Sequence, residues 1–144
     1  MHPFPHLYSV TASAGPGGPV TLDSPGLASL SSAAPKEFDG PGNLWSPETL
    51  LTAAVTDCFI LGFRAIATAS KFPWTSLETS TEGTLERIDG KTRFTKFVTR
   101  ATLRLPAGGD AARGKQLLEK AEHFCLIANS LNAERHLEVS VTVA

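Results

Sequence analysis

The sequence predicts an α+β fold with mostly antiparallel strand pairing, organised as one domain over residues 1–144. Two observations carry that expectation. The local patterns run strand, strand, long helix, strands, helix, strand. No glycine-rich phosphate loop joins a strand to a helix, which argues against a doubly wound nucleotide fold.

Composition narrows the function classes. Hydrophobic residues make up 42% and charged residues 19%, as in a folded soluble domain. The net charge is −1, and no Lys/Arg cluster marks a nucleic-acid or membrane surface, so neither partner is expected. The longest apolar stretches read as far short of a membrane span. Met1 to Val10 has no charged region followed by an apolar run, so no signal peptide is visible and a reducing cytoplasm is the expected compartment. Two cysteines there are no disulfide framework. The plain reading of such a pair is two thiols packed as small hydrophobes.

The elements follow in chain order. Leu7 to Ala12 alternates as a strand, Gly15-Pro16-Gly17-Gly18-Pro19 is turn chemistry, and Val20-Thr21-Leu22 is placed to return antiparallel. Ala34 to Asn43, rich in Pro and Gly, reads as an extended loop. Ser46-Pro47-Glu48 is a helix start: an N-cap serine, a proline where no N–H partner is needed, and a carboxylate at the positive helix end. The helix runs from Pro47 to about Ala69 and is apolar round most of its circumference. It is therefore expected to be buried on several sides, with a second subunit covering part of it. Trp45 and Trp74 read as packing residues, either of which could also line an apolar pocket.

Leu77 to Ile88 alternates as a strand, and Asp89-Gly90 is a two-residue hairpin turn. The return strand, Arg93 to Leu105, has a basic face (Phe94, Lys96, Val98, Arg100, Thr102, Arg104) and a mostly apolar face (Thr95, Phe97, Thr99, Ala101, Leu103, Leu105). Asp110 is the expected N-cap of a second helix whose apolar positions are Leu117, Leu118, Ala121 and Phe124. Leu137 to Val143 is a period-two strand.

The cysteines lie on different elements. Cys58 sits mid-helix in Thr56-Asp57-Cys58-Phe59, and Cys125 near the end of the second helix in His123-Phe124-Cys125-Leu126-Ile127-Ala128-Asn129-Ser130. Three stretches together resemble the OsmC/Ohr family. They are Pro35-Lys36-Glu37-Phe38-Asp39-Gly40-Pro41-Gly42, then Ser46-Pro47-Glu48-Thr49-Leu50-Leu51 leading into Ala53-Ala54-Val55-Thr56-Asp57-Cys58-Phe59, and finally Cys125 to Leu131. Ala128 stands where the family usually has serine. The resemblance spans essentially the whole chain. It implies antiparallel sheets wrapped around a long buried central helix in an intertwined homodimer. It also implies two-cysteine reduction of organic hydroperoxides, with an external dithiol, lipoyl in some members, as reductant and no cofactor or metal. By position it makes Cys58 the peroxidatic thiol, Cys125 its resolving partner, and Glu48 the helix-start glutamate of the site.

One departure bears on activity. Ohr-type members place an arginine in the early glycine turn, where it stabilises the thiolate, whereas here the first arginine is Arg64. Arg64 is six residues past Cys58, about 600° round the helix, and points elsewhere. Lys36, Arg93, Arg100 and Arg104 are the candidate replacements, and the expectation is that one of them reaches the Cys58 pocket. His123 reads as a surface histidine and Asp57 as structural. His2, His6, His123 and His136 show no zinc spacing with the cysteines. The rival functions are a non-enzymatic binder of apolar ligands on the same scaffold and a redox sensor forming the same disulfide.

Overall fold

The computed structural model describes residues 1–144, which group into two compact units, Met1–Leu50 and Leu51–Ala144. In the first unit, β1 (Thr11–Ser13), β2 (Val20–Asp23) and β3 (Leu30–Ser32) form an antiparallel sheet in that order. The expected strand from Leu7 is thus only its last part, because Leu7, Tyr8 and Val10 are exposed and outside the sheet. β3 was not expected. The loop over 34–43 contains one short 3-10 turn, Lys36–Phe38, closed by Asp39 in the left-handed region (φ 61). A Cβ on Gly40 would collide with the Ala34 carbonyl, so only glycine fits there.

Helix α1 spans Pro47–Ala69, as expected. Its start is a reciprocal cap: Ser46 Oγ accepts from Thr49 N–H at 3.1 Å, and Thr49 Oγ1 accepts from Ser46 N–H at 2.8 Å. It closes where Lys71 turns left-handed (φ 51) and Phe72 N–H reaches the Ala67 carbonyl at 2.9 Å.

In the second unit β4 (Ser76–Ile88), β5 (Lys91–Leu105) and β6 (Glu134–Val143) form one sheet in that order. Asp89 (φ 50) and Gly90 (φ 78) both take the positive φ of a type I′ hairpin turn. The sheet is mixed, within the mostly antiparallel pairing expected: β4 lies antiparallel to β5, and β6 lies parallel to it. Parallel neighbours need a long crossover. Helices α2 (Ala111–His123) and α3 (Leu126–Asn129) supply it. Asp110 Oδ1 caps α2 by accepting from Arg113 N–H at 3.0 Å.

The core lies on one face of this sheet. Phe59, Phe63 and Ala67 of α1 pack with Ala101, Leu103 and Leu105 of β5 and Leu117, Leu118 and Ala121 of α2. Trp74 packs edge-on against Phe63, with ring centroids 5.3 Å apart. Within this chain α1 buries one stripe, Val55, Phe59, Phe63 and Ala67. One expectation about it needs correction. At 23 residues, with a window of mean hydropathy 1.7, it is also long and apolar enough to cross a membrane by length and composition. Its stripe is instead committed to a protein core, and Thr56 Oγ1 is tied to Thr79 Oγ1 of β4 at 2.6 Å. Phe124, expected on the buried face of α2, is exposed because the helix ends one residue before it.

Phe94 also departs from the simple alternation. Thr84 pairs with Lys96 and Leu85 with Phe94, so Thr95 is an extra residue in β5. The bulge moves Phe94 off the basic face and stacks it on Phe97, with centroids 5.0 Å apart. Both rings cover Gly83, where a Cβ would come within 2.8 Å of Phe97 and 2.9 Å of Phe94. Gly83→Ala is expected to cost about 1–3 kcal/mol by overpacking, and Gly83→Val more. Urea unfolding measures it, and an unchanged midpoint for both variants would mean that the rings can swing clear.

Candidate active site

The two cysteines occupy different elements of the second unit and converge. Cys58 sits on α1 beside the buried Phe59, at the edge of the covered stripe, and is half-buried. Cys125 occupies the link between α2 and α3 and is 2% exposed. Its Sγ lies 4.0 Å from the Val55 carbonyl, a weak S–H hydrogen bond onto the turn of α1 that carries Cys58. Cys58 is close enough to the Cys125 sulfur to act on its ionisation. No disulfide joins them in this structure.

Their surroundings give Cys125 a defined protonation state. Burial pushes its pKa from 9.0 up to about 11; the Ala128 backbone N–H works against the rise, while the hydrogen bond with Cys58 and the negative charges of Cys58 and Glu122 add to it. Cys125 is therefore a protonated thiol at neutral pH, with its S–H directed at the Val55 carbonyl.

The other candidate residues are placed less centrally. Glu48 stands in the first turn of α1, within the first unit, with its Oε2 atom buried. It is not among the groups acting on Cys125. The expectation that a strand arginine reaches Cys58 is not met within this chain. Arg100 and Arg104 alternate with the core-facing Ala101, Leu103 and Leu105, so they project from the opposite face of the sheet. Arg100 pairs there with Glu138 at 2.8 Å. Arg93 is exposed, with Nη1 on the Phe94 carbonyl at 3.3 Å. Lys36 lies in the first unit, its aliphatic stem over Gly42. His123 and Asp57 are exposed. Trp74 is a packing residue, whereas Trp45 is half-exposed. No group of three His, Cys, Asp or Glu side chains is placed to hold a metal ion. A shallow cavity of about 270 Å³ is lined by Ser9, Thr11, Asp23, Ser24 and Pro25 and contains neither thiol.

One residue of this region has no counterpart in the sequence reading. Arg135 of β6 donates from Nε to Glu122 Oε1 at 2.8 Å, from Nη1 to Asn129 Oδ1 at 2.6 Å, and from Nη2 to the Glu122 carbonyl. It pairs with Phe97 in register, on the inward side of the sheet with Leu137, Val139 and Val141. Running the alternation of the last strand back by one more step places an arginine at an apolar position, and that was the available signal.

The OsmC-like protein family matches residues 40–140. The chain belongs to the OsmC-like family. It is 31% identical over 126 residues to the uncharacterised protein YmaD of Bacillus subtilis, covering 84% of this chain and 83% of that one. It is 28% identical over 93 residues to the peroxiredoxin OsmC of Escherichia coli, covering 65% of this chain and 64% of the relative, just under two thirds of its length. Its fold matches the crystal structure of an organic hydroperoxide resistance protein OsmC from Legionella pneumophila with a TM-score of 0.75 at 25% identity, over 95% of this chain and 97% of that one. The α+β fold that the resemblance implies for a single chain is thus observed, and it is in the OsmC-like frame that Cys58 and Cys125 meet.

The protonation state of Cys125 is directly measurable. A rise from 9.0 to about 11 leaves it with about a hundredfold less thiolate at pH 8 than a free cysteine. Its alkylation, followed by peptide mass spectrometry, should have a midpoint near 11 in the intact protein. In Cys58→Ser the midpoint should fall, while staying above 9.0 because burial remains. The sign for stability follows: folding favours the neutral thiol, so this contribution is complete below pH 9.0 and is lost as pH rises through about 11. A Cys125 midpoint at 9.0 in the intact protein would contradict the arrangement.

Proposed function

We propose that this OsmC-like chain reduces organic hydroperoxides with Cys58 as the reacting thiol and Cys125 as its resolving partner, in a reducing cytoplasm. The observation that carries the reading is the asymmetric pair: a half-buried Cys58 beside a fully buried Cys125 whose pKa is pushed up to about 11. The family and the peroxiredoxin and hydroperoxide-resistance relatives support the same chemistry.

The Cys58 thiolate attacks the distal peroxide oxygen. The O–O bond breaks, Cys58 becomes a sulfenic acid, and the alkoxide leaves as an alcohol after taking a proton. The Cys125 sulfur then attacks the sulfenic sulfur. The S–S bond forms, and the hydroxyl departs as water carrying the Cys125 proton. An external dithiol, lipoyl or similar, restores both thiols by exchange and becomes a disulfide itself. The buried Cys125 stands beside Cys58 with its S–H on the Val55 carbonyl, so the resolving sulfur is already next to the reacting one. Apolar neighbours favour a fatty or aromatic hydroperoxide over hydrogen peroxide.

A substoichiometric organic hydroperoxide should convert the reduced chain to the Cys58–Cys125 disulfide, read as a loss of two hydrogens with linked peptides. Cys58→Ser should abolish turnover, and Cys125→Ser should leave Cys58 to over-oxidise to sulfinic acid. Independent sulfinic acids on each cysteine of the unmutated chain would refute the pairing. The outward-facing strand arginines favour one alternative, a non-enzymatic binder of apolar ligands on the same scaffold. A peroxide-consumption assay with excess dithiol separates them, because sustained turnover excludes the binder and no oxidation excludes the enzyme.

The same reading includes a homodimer. Leu51, Ala54, Leu61, Gly62 and Ala65 form an apolar strip on α1 next to Cys58, yet Leu61 is half-exposed and only 22% of the most apolar window of the helix is buried. A second copy of the chain covers this strip, and Glu48 enters the chemistry only through that copy. Light scattering at micromolar concentration should give twice the chain mass, and Leu61→Glu should halve it. A stable monomer in the unmutated chain would remove both the dimer and the role of Glu48.

A further inference from the structure

We infer that Arg135 is a positioning residue for the resolving step: its guanidinium clamps the turn that carries Cys125 and so sets how readily Cys125 closes on Cys58. The inference rests on the thiol-pair reading above.

Cys125 sits in a link of two residues, Phe124 and Cys125, between the end of α2 and the four-residue α3. So short a helix does not hold its own start in place. Arg135 reaches both flanks of the link. On one side it takes the Glu122 carboxylate at 2.8 Å and the Glu122 backbone carbonyl, which also accepts the Cys125 N–H at 3.4 Å. On the other side it takes Asn129 Oδ1 at 2.6 Å, and Asn129 Nδ2 returns to the His123 carbonyl at 3.2 Å. One planar fork thus ties three residues before Cys125 to four residues after it, and anchors both to β6 in the sheet. The arginine and glutamate side chains are only 25% and 19% exposed, so the pair is largely withdrawn from solvent.

Disulfide closure is sensitive to position, since the bond demands sulfurs about 2.05 Å apart and a dihedral near 90°. A misplacement of about 1 Å at a reacting atom can cost roughly a hundredfold. There is also a charge effect. The Glu122 carboxylate disfavours the Cys125 thiolate, and the guanidinium beside it neutralises that carboxylate.

The test uses the full chain in buffers of reduced and oxidised glutathione. The Cys58 thiolate attacks oxidised glutathione and releases one glutathione. Cys125 then displaces the second, so the two protein thiols are oxidised as one oxidised glutathione becomes two reduced. Mass spectrometry quantifies the internal disulfide, at a temperature where circular dichroism shows each variant folded. Arg135→Gln should lower the equilibrium constant for the internal disulfide roughly ten- to a hundredfold. Arg135→Lys, which keeps the charge without the fork, should recover only part. In a Cys125→Ser background, Arg135→Gln should leave the mixed disulfide on Cys58 unchanged, which a general loosening of the fold would not do. If Arg135→Gln does not fold, Asn129→Leu removes one arm and should shift the constant in the same direction by less. A disulfide in the unmutated chain that neither variant weakens overturns the inference alone. No internal disulfide in the unmutated chain overturns the thiol-pair reading and the inference with it.

Discussion

The packing of α1 on the sheet through Phe59, Phe63 and Ala67 is the contact from which the site follows. A helix advances about 100° per residue, so seating Phe59 in the core leaves Cys58 at the rim of the covered stripe. The same core receives Leu117, Leu118 and Ala121 of α2, and that brings the end of α2, with Cys125 two residues beyond it, over the turn at Val55. Small residues make the approach close enough. Ala67, Ala101 and Ala121 are buried where the elements meet, and a Cβ on Gly114 would stand 3.0 Å from Leu103. Each large side chain buried there contributes roughly 1.5–3 kcal/mol, which is what holds a half-buried thiol against a buried one.

That arrangement separates two residues of the same chemical type. Cys125 loses water on nearly all sides and has another sulfur and a carboxylate nearby, so its proton is retained. Cys58 keeps access to solvent. The same amino acid is thus fully buried in one position and half-open to solvent in the other, and the difference lies in the fold around it rather than in sequence context. The strand arginines play no part in it within one chain. Alternation along β5 sends Arg100 and Arg104 away as surely as it sends Leu103 inward.

Much of this was legible in the sequence where the signal is local. The cap at Ser46, the stop near Ala69, the Asp89-Gly90 turn and the Asp110 cap each depend on a few neighbouring residues, and each stands where the pattern placed it. The cysteine pair was legible through motif contexts, not through geometry. Features that depend on distant partners were not legible. The parallel pairing of β6 depends on where the α2 crossover returns the chain. The bulge at Thr95 depends on what β4 offers opposite, and it alone redirects Phe94. Arg135 went unread, since its partners Glu122 and Asn129 come from other elements.

The length and apolarity of α1 raise a question that its charges answer. A bilayer would have to cover the whole circumference of the helix, including Asp57 and Arg64, which are exposed and face the same side. Each would cost about 2.5–3.5 kcal/mol at the centre of a membrane span. The opposite side is already occupied by the sheet and tied to it through Thr56 and Thr79. What remains is a strip from Leu51 through Ala54, Cys58, Leu61 and Gly62 to Ala65, bounded by charge on one edge and by the core on the other. A strip that narrow, with alanine and glycine along it, suits the close approach of one protein surface better than lipid chains. A surface laid over that strip would also close the solvent side of Cys58, so cover of the strip and exposure of the thiol are linked.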